Sequence, residues 1–295
     1  MPSGALLFQS VILGLLLGGL YALLAAGLTL YFGIMRVVMI AHSAFLILAA
    51  YLAWYSHERL GVDPLLSMLA TVPIFFGAGV LLQRLLLSRL RPATLTMMSV
   101  LLTFAIAVII EGLLAYAFTG TQRRIRLGYG ADSFAIFGAR IAVVKLIAFA
   151  LAASALLALY VLMKKTQFGW ALRATIQHRD AARLVGIDTE RIAGYGFGIG
   201  LATAAIGGTA LSLDTTIYPS LHWHWIGPLM AVIVVGGLGS VPGAAAAAML
   251  LGLTQSLLQI PMGTTWAQTI FYLTLFATLA LRPQGFFGGR LAQRF

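Results

Sequence analysis

The chain has 295 residues, of which 61% are hydrophobic and 9% are charged, and its mean hydropathy is +0.97. Soluble domains carry roughly 25% charged residues. This composition cannot provide a polar surface, and it excludes a cytosolic enzyme, a nucleic-acid-binding protein and a secreted domain. The net charge of +11 comes from Arg and Lys residues that lie mostly in short loops between apolar runs, which is typical of membrane proteins. Because cysteine is absent, disulfides and thiolate chemistry are excluded.

The apolar runs predict an all-α, polytopic transmembrane helix bundle. In chain order they cover residues 6–32, 34–54, 64–87, 93–118, 141–163, 192–213, 225–238, 243–260 and 266–281. A transmembrane helix needs about 20 apolar residues, and spans in lipid must satisfy their own backbone polar groups. The run at 225–238 is short and the front half of 34–54 is weakly apolar, so we expect eight or nine spans, with broken or re-entrant segments. All belong to a single transmembrane domain over residues 1–295. With no basic region before the first run, the start is interpreted as leading into a retained span rather than a cleaved signal peptide.

The basic residues predict the orientation. Three groups share one side if every run crosses the membrane: Arg84, Arg89 and Arg91; Lys164, Lys165, Arg173, Arg179, Arg183 and Arg191; and Arg282, Arg290 and Arg294. The positive-inside rule makes that side the cytoplasm, which places the C terminus inside and the N terminus outside. The segment 120–140, with Arg123, Arg124, Arg126 and Arg140, then falls outside, against the rule. Its turn residues and short alternating stretches are compatible with a small hairpin or a plain surface loop.

The longest predicted cytoplasmic interval is 164–191. Loops between helices usually need only 2–8 residues, so a segment of this length with helical spacing of apolar residues suggests a docking element for a soluble partner. An amphipathic helix lying on the membrane surface is the alternative. Asp180 is placed to cap the N terminus of a short helix over 181–185, and Gly186 is placed at its C′ position.

Small residues and glycine-rich turns mark other candidate positions. Four-residue spacing puts Gly196, Gly200, Ala204 and Gly208 on one helix face, and Gly14 and Gly18 repeat the pattern in the first run. Such faces allow close helix packing or line a path that changes during gating. The first and sixth runs would cross in opposite senses, which suggests an inverted repeat. The stretch 236–243 predicts a tight re-entrant turn, and it is no ATP-binding P-loop because the G-K-[ST] ending is missing.

Polar residues inside the apolar runs are the remaining candidates. Glu111 is the one acid well inside such a run, where a carboxylate is costly. Three roles stay open for it: relaying protons, binding a substrate ammonium, or forming a hydrogen bond between helices while protonated. His42 is interpreted as forming a hydrogen bond between two helices rather than as a ligand. His222 and His224 are weak evidence for a metal site, because a third ligand is missing. The H-E-x-x-H and G-x-S-x-G motifs are absent, so no catalytic residue, metal site or cofactor is predicted.

Five stretches resemble the LivH-type permeases of branched-chain amino acid ABC importers, and the likeness covers nearly the whole chain. They are residues 14–45, GWALRATIQHRDAARLVGID at 169–188, IGGTALSL at 206–213, VIVVGGLGSVPGAAAAAMLLGL at 232–253 and LRPQGFFG at 281–288. The chain departs from the family's usual Asn-Phe-Ala-His-Gly, since it has Met-Ile-Ala-His-Ser at 39–43.

The resemblance implies an inner-membrane permease subunit without enzyme activity of its own. Its implied partners are a second homologous permease, two cytoplasmic ATP-binding subunits and a periplasmic solute-binding protein, besides membrane lipid and without nucleic acid. The resemblance also implies that residues within 164–191 couple to the ATPase: Gly169, Arg173, Ala174, Asp180, Ala181, Ala182, Arg183 and Gly186. Helix breaks and small residues indicate candidates for lining the translocation pathway: Tyr21, His42, Ser43, Gly200, Gly208, Gly237 and Gly239. An ion-coupled secondary transporter, with Glu111 as the proton site, is the alternative function, and a channel is a third.

Overall fold

The computed structural model describes residues 4–35, 37–90, 94–128, 130, 132–136, 139–282 and 285–286. Its helices are α1 (Gly4–Met35), α2 (Ala41–Leu60), α3 (Pro64–Leu85), a 3₁₀ turn (Leu87–Arg89), α4 (Leu95–Phe118), α5 (Val143–Lys165), α6 (Gln167–Gln177), α7 (Arg179–Leu184), α8 (Thr189–Asp214), α9 (Leu221–Gly236) and α10 (Val241–Leu281). Strands β1 (Ser133–Ile136) and β2 (Ala139–Ala142) form an antiparallel hairpin. The predicted all-α class is confirmed, and the hairpin forms within the segment where a hairpin or a loop was expected.

Six helices are long and apolar enough to cross a membrane. They are α1, α3, α4, α5, α8 and the first part of α10, here α10a (Val241–Gly263). Two shorter apolar helices are α9 and the second part of α10, here α10b (Trp266–Leu281). The two parts meet at Gly263, whose φ of 80° and ψ of 172° are not helical. The predicted count of eight or nine spans is therefore not confirmed by length and composition, because these criteria give six among the described residues.

A buried, non-helical stretch separates α1 from α2. Val37 and Met39 are almost fully buried there, although the backbone of this stretch forms no helix. Thr103 of α4 compensates, because its hydroxyl lies 3.2 Å from the carbonyl of Val38 and also accepts a hydrogen bond from the amide of Ile40 (3.2 Å). Irregular backbone is tolerated inside a membrane bundle only where such partners exist. The weakly apolar front of the second run is thus a broken helix, as predicted.

A second break separates α8 from α9. Residues 215–220 connect the two helices, and Ile217 in this connection forms a two-way backbone bridge with Arg123 in the loop after α4 (2.8 Å each). The guanidinium of Arg123 also lies over the ring of Trp54 in α2, 4.8 Å from its centroid. The loop after α4 is therefore attached both to α2 and to the connection between α8 and α9.

The contacts define two ends of the bundle. At the hairpin end, the side-chain amide of Gln9 in α1 donates to the carbonyl of Arg140 in β2 (3.3 Å). At the opposite end, here the basic end, Gly33 of α1 faces Ile176 of α6 and the turn at Gly239. The basic end holds Arg84, Arg89, the segment 164–191 and Arg282, whereas Arg123, Arg124, Arg126 and Arg140 lie at the hairpin end. Arg91, Arg290 and Arg294 lie outside the described residues.

The two halves of the bundle run in opposite senses. α8 begins at the basic end, where Gly194 faces Gln83 of α3, and ends where Asp214 pairs with Lys145 of α5 (2.5 Å). It is thus antiparallel to α1, as the inverted-repeat interpretation expects. The first half is helix, break, helix and two further helices (α1–α4), and the second half repeats this order (α8, α9, α10a and α10b).

Glycines set the closest approaches between the halves. A Cβ added to Gly18 of α1 would lie 2.8 Å from the Cα of Met249 in α10a, and one added to Gly79 of α3 would lie 2.8 Å from the Cα of Gly198 in α8. Real side chains do not approach a neighbouring backbone this closely, so both helix pairs require glycine. The first helix of each half therefore packs tightly against the third helix of the other.

Candidate translocation and coupling sites

The segment 164–191 forms two helices and a turn at the basic end. Thr166 caps α6, since its hydroxyl accepts from the amide of Gly169 (3.1 Å), which is a typical N-cap contact. Arg173 donates to the carbonyl of Met163 at the end of α5, and Leu172 is fully buried. These contacts hold α6 against the membrane helices.

The N terminus of α7 differs from the prediction. His178 is the capping residue, because its Nδ1 accepts from the amide of Ala181 (3.3 Å). The prediction of Asp180 as the N-cap is wrong, because the helix begins at Arg179 and Asp180 lies in its first turn. A carboxylate there still favours the helix through the helix dipole.

The C terminus of α7 is as predicted. Gly186 has a φ of +86°, and its amide donates to Arg183 (3.0 Å) while the amide of Ile187 donates to Ala182 (3.0 Å). This pair of bonds is a Schellman motif, which ends a helix and favours glycine. The helix therefore stops sharply at this point.

The end of α7 exposes two apolar side chains. Leu184 is 89% and Val185 is 77% solvent-exposed, although apolar residues at helical spacing usually predict burial. Arg183 beside them donates from Nε to the hydroxyl of Thr189 (2.9 Å) and lies 3.7 Å from the carboxylate of Glu190. The sequence pointed to the polar neighbours Asp180 and Arg183 as coupling residues but not to this exposed apolar pair.

The nominated coupling residues share one segment but not one surface. Asp180, Ala181, Arg183 and Gly186 are exposed; Arg173 and Ala174 are half-buried; Gly169 and Ala182 are buried. The exposed members surround the apolar end of α7, and the buried ones hold α6 and α7 in place.

His42 and Ser43 line a small cleft at the first helix break. The volume of the cleft is only about 10 Å³. Its walls are Leu28 of α1, Met39, Ile40, His42 and Ser43 around the break, and Ile226, Leu229 and Met230 of α9. The Nε2 of His42 donates to the carbonyl of Leu24 (2.9 Å), and its Nδ1 lies 3.4 Å from the hydroxyl of Tyr31. The histidine thus makes the helix-to-helix hydrogen bond that the sequence suggested.

The other pathway candidates are not among the residues that line this cleft. The hydroxyl of Tyr21 donates to Gln255 (2.9 Å), and its ring lies 5.7 Å from Trp225 and 5.1 Å from Phe271. Gly200 faces the ring of Tyr31, and Gly208 faces the carbonyl of Leu46. Their geometry is that of helix packing, and their pathway role stays a prediction.

Gly237 and Gly239 form the turn between α9 and α10a. Their φ angles are +91° and +84°, which glycine adopts without strain. Ser240 then caps α10a, since its hydroxyl accepts from the amide of Gly243 (3.1 Å). The glycine-rich stretch is therefore a tight turn between two helices, as predicted, and it lies against Gly33 at the basic end.

Glu111 joins α4 to the start of α9. Its Oε2 accepts a hydrogen bond from the indole of Trp223 (3.0 Å) and lies 3.7 Å from Nε2 of His222. Trp223 also contacts Phe104, with ring centroids 5.8 Å apart. His224 instead meets Gln268 (3.2 Å). No group of three possible metal ligands exists among the residues that the structure describes.

The fold is that of a polytopic membrane protein, with broken helices in its core and a two-helix segment at the basic end. Residues 10–279 match the family model described as the permease component of branched-chain amino acid transport systems. The chain belongs to this family.

Curated relatives agree over almost the full length. The chain is 26% identical to the high-affinity branched-chain amino acid transport system permease protein LivH of Salmonella typhimurium, with 95% of both chains covered. It is 27% identical to the probable LivH of Methanocaldococcus jannaschii, over 91% of this chain and 89% of the relative. It is 23% identical to BraD of Pseudomonas aeruginosa, over 95% of both. No solved structure matches the chain significantly.

The family assignment confirms the resemblance to LivH-type permeases. The chain is a transport permease of the ABC importer type and not itself an enzyme, and its membership implies ATPase and binding-protein components as partners. It is a multi-pass inner-membrane protein. Nothing in these likenesses favours an ion-coupled secondary transporter.

Proposed function

We propose that this chain forms part of the path through which an ATP-driven importer moves branched-chain amino acids into the cell. The basic end faces the cytoplasm, and the segment 164–191 couples the bundle to the ATPase. One observation carries the coupling role, namely the exposed apolar pair Leu184 and Val185 on a helix that is fixed to the bundle. The substrate class rests on the names of the relatives.

The apolar pair fits a protein partner. Exposed apolar side chains surrounded by charged residues are typical of interaction sites, and Asp180, Arg183 and Glu190 surround this pair. Burying one such side chain in a partner stabilises the complex by about 1.5–3 kcal/mol. Rotation of α7 by the ATPase would then reach α5 through α6.

The cleft at His42 and Ser43 fits a closed form of the path. Small-molecule sites usually measure roughly 300–1,000 Å³, far more than the cleft volume of about 10 Å³. The cleft lies at a helix break, as substrate sites in transporters often do. Opening requires α9 to move away from the first break, and the Gly237–Gly239 turn provides a flexible link at its end.

We infer the remaining assembly from the family membership of the chain. A second homologous permease, two cytoplasmic ATP-binding subunits and a periplasmic binding protein complete the importer. The six long helices, the shorter helices α9 and α10b, and α2 together make nine segments that enter the membrane. We include α2 because the first break places its start inside the bundle. The C terminus is cytoplasmic under this arrangement, because Arg282 lies at the basic end.

Co-purification in mild detergent tests the coupling role. The tagged chain is isolated from its native membranes, and the ATPase subunits that accompany it are quantified for wild type and Leu184→Asp. We expect the variant to retain at least tenfold less ATPase, because 1.4 kcal/mol corresponds to a factor of ten in affinity. Leu60→Asp is the matched control, since Leu60 is 67% exposed at the hairpin end. Equal ATPase recovery with Leu184→Asp and wild type would contradict the assignment.

A further inference from the structure

The acid Glu111 occupies a position that lipid does not tolerate. Its side chain is 26% exposed on a helix whose neighbouring residues Phe104 and Val108 are exposed and apolar. A carboxylate within a membrane segment normally faces a water-filled cavity or a partner rather than hydrocarbon. The α4–α9 face at Glu111 therefore lines an aqueous space or a subunit contact in the assembled importer.

The neighbouring histidine His222 carries a proton on Nδ1. The Nδ1 of His222 lies 3.1 Å from the carbonyl of Pro219, and a carbonyl can only accept, so Nδ1 carries a proton. Its Nε2 is buried and has no hydrogen-bond partner among the described residues, and the whole side chain is 1% exposed.

The buried Nε2 of His222 and the carboxylate of Glu111 face one another without a hydrogen bond. The Nε2 of His222 lies 3.7 Å from Oε2 of Glu111, which exceeds the 2.7–3.2 Å of an N–H···O bond. The two atoms share no proton at this distance. The carboxylate of Glu111 accepts from the indole of Trp223 and can accept from a further donor, and an ammonium group supplies three N–H donors and no acceptor.

The site also lies in line with the cleft. Ile226, which follows His222 by one helical turn, lines the cleft at His42. On the α4 side, Thr103 binds the backbone of the first break, and Glu111 lies about two turns further toward the hairpin end. A charged group at Glu111 would thus sit above an apolar cleft that also contains Met39 and Met230.

We propose that Glu111, with His222 and Trp223 behind it, binds the α-ammonium group of the amino acid at the outer mouth of the path. The carboxylate attracts the ammonium, and the indole of Trp223 holds the carboxylate in place through its hydrogen bond. The apolar side chain of the substrate then points toward the cleft. This inference rests on the proposed function and names a specificity-determining residue for it.

The first test separates charge from structure. Glu111→Gln keeps an oxygen that accepts from Trp223 and removes only the charge, so the helix contact survives. Uptake of labelled leucine is measured in proteoliposomes that contain the complete importer with its binding protein. We expect uptake to fall at least tenfold while leucine-loaded binding protein still stimulates ATP hydrolysis. Glu58→Gln, which changes an exposed acid on α2, should leave both unchanged.

Other results of this test would overturn the proposal. Uptake by Glu111→Gln within twofold of wild type would mean that the acid only connects α4 and α9. If the wild-type importer fails to take up leucine with ATP and binding protein, the proposed function itself fails, which is a different result.

A second measurement requires no variant. Labelled leucine is bound to the wild-type permease–ATPase complex without binding protein, and two competitors are compared. Isoamylamine has the ammonium without the carboxylate, and 4-methylpentanoate has the carboxylate without the ammonium. We expect isoamylamine to compete at least tenfold better. Equal competition, or better competition by 4-methylpentanoate, would overturn the proposal.

Discussion

The hydroxyl of Thr103 is the part of the first helix break that a single substitution tests most sharply. Thr103→Val removes the hydroxyl and keeps the shape of the side chain. The carbonyl of Val38 and the amide of Ile40 then lose the partner that now lies 3.2 Å from each. An orphaned buried polar group costs about 1–3 kcal/mol. Because two such groups are orphaned, we expect the free energy of unfolding to fall by about 2–6 kcal/mol.

A matched control isolates this effect. Thr209 of α8 is as buried as Thr103, at 0% exposure, but its hydroxyl donates to the carbonyl of Ala205 one turn earlier in the same helix (3.0 Å). That carbonyl keeps its helical amide partner, so Thr209→Val should cost less than about 1 kcal/mol.

Unfolding in mixed micelles of dodecyl maltoside and sodium dodecyl sulfate, followed by tryptophan fluorescence, provides both values. The measured quantity is the difference in free energy of unfolding between each variant and wild type. Equal losses for the two variants would refute the view that Thr103 compensates the non-helical backbone of the break.

Two further substitutions test the helix crossing and the coupling segment. Gly79→Ala should destabilise the chain by about 1–3 kcal/mol in the same unfolding measurement, because overpacking against α8 forces the two backbones apart. Gly77→Ala on the same helix is the control: the space around Gly77 is open, so this variant should be neutral or stabilising. Similar losses of stability in both variants would contradict the close packing of α3 on α8. Gly186→Ala forces alanine into left-handed backbone geometry at a cost of about 1–2 kcal/mol, and ATPase co-purification should fall about tenfold. Gly186→Asn should lose less, since Asn tolerates this conformation better, and a greater loss with Asn than with Ala would count against the Schellman turn.

The fold class and the functional class could be predicted because they depend on composition and on long local patterns. Apolar runs of helical length give the bundle directly, and the specific stretches at 169–188 and 232–253 give the family. The C-terminal end of α7 could also be predicted from the local sequence, since a glycine after an apolar run predicts a C-cap. The N-terminal end could not, because His178 and Asp180 can both cap a helix and only the backbone conformation decides between them.

Tertiary partners could not be predicted. Thr103 lies 63 residues from Ile40 along the chain, and nothing local marks it as the residue that satisfies a broken helix. The lone acid Glu111 was conspicuous, but its neighbours His222 and Trp223 resembled ordinary interfacial residues. The exposure of Leu184 and Val185 was missed for a related reason, since periodicity predicts which face is apolar and not whether another chain covers it.

Uptake in proteoliposomes tests the central claim most directly. The purified chain is reconstituted with its second permease, the ATPase subunits and the binding protein, and labelled leucine is supplied on the binding-protein side. The account predicts accumulation that requires ATP on the opposite side, requires the binding protein and persists when a protonophore collapses the proton gradient. Accumulation without ATP that the protonophore abolishes would contradict it and would make the chain an ion-coupled transporter.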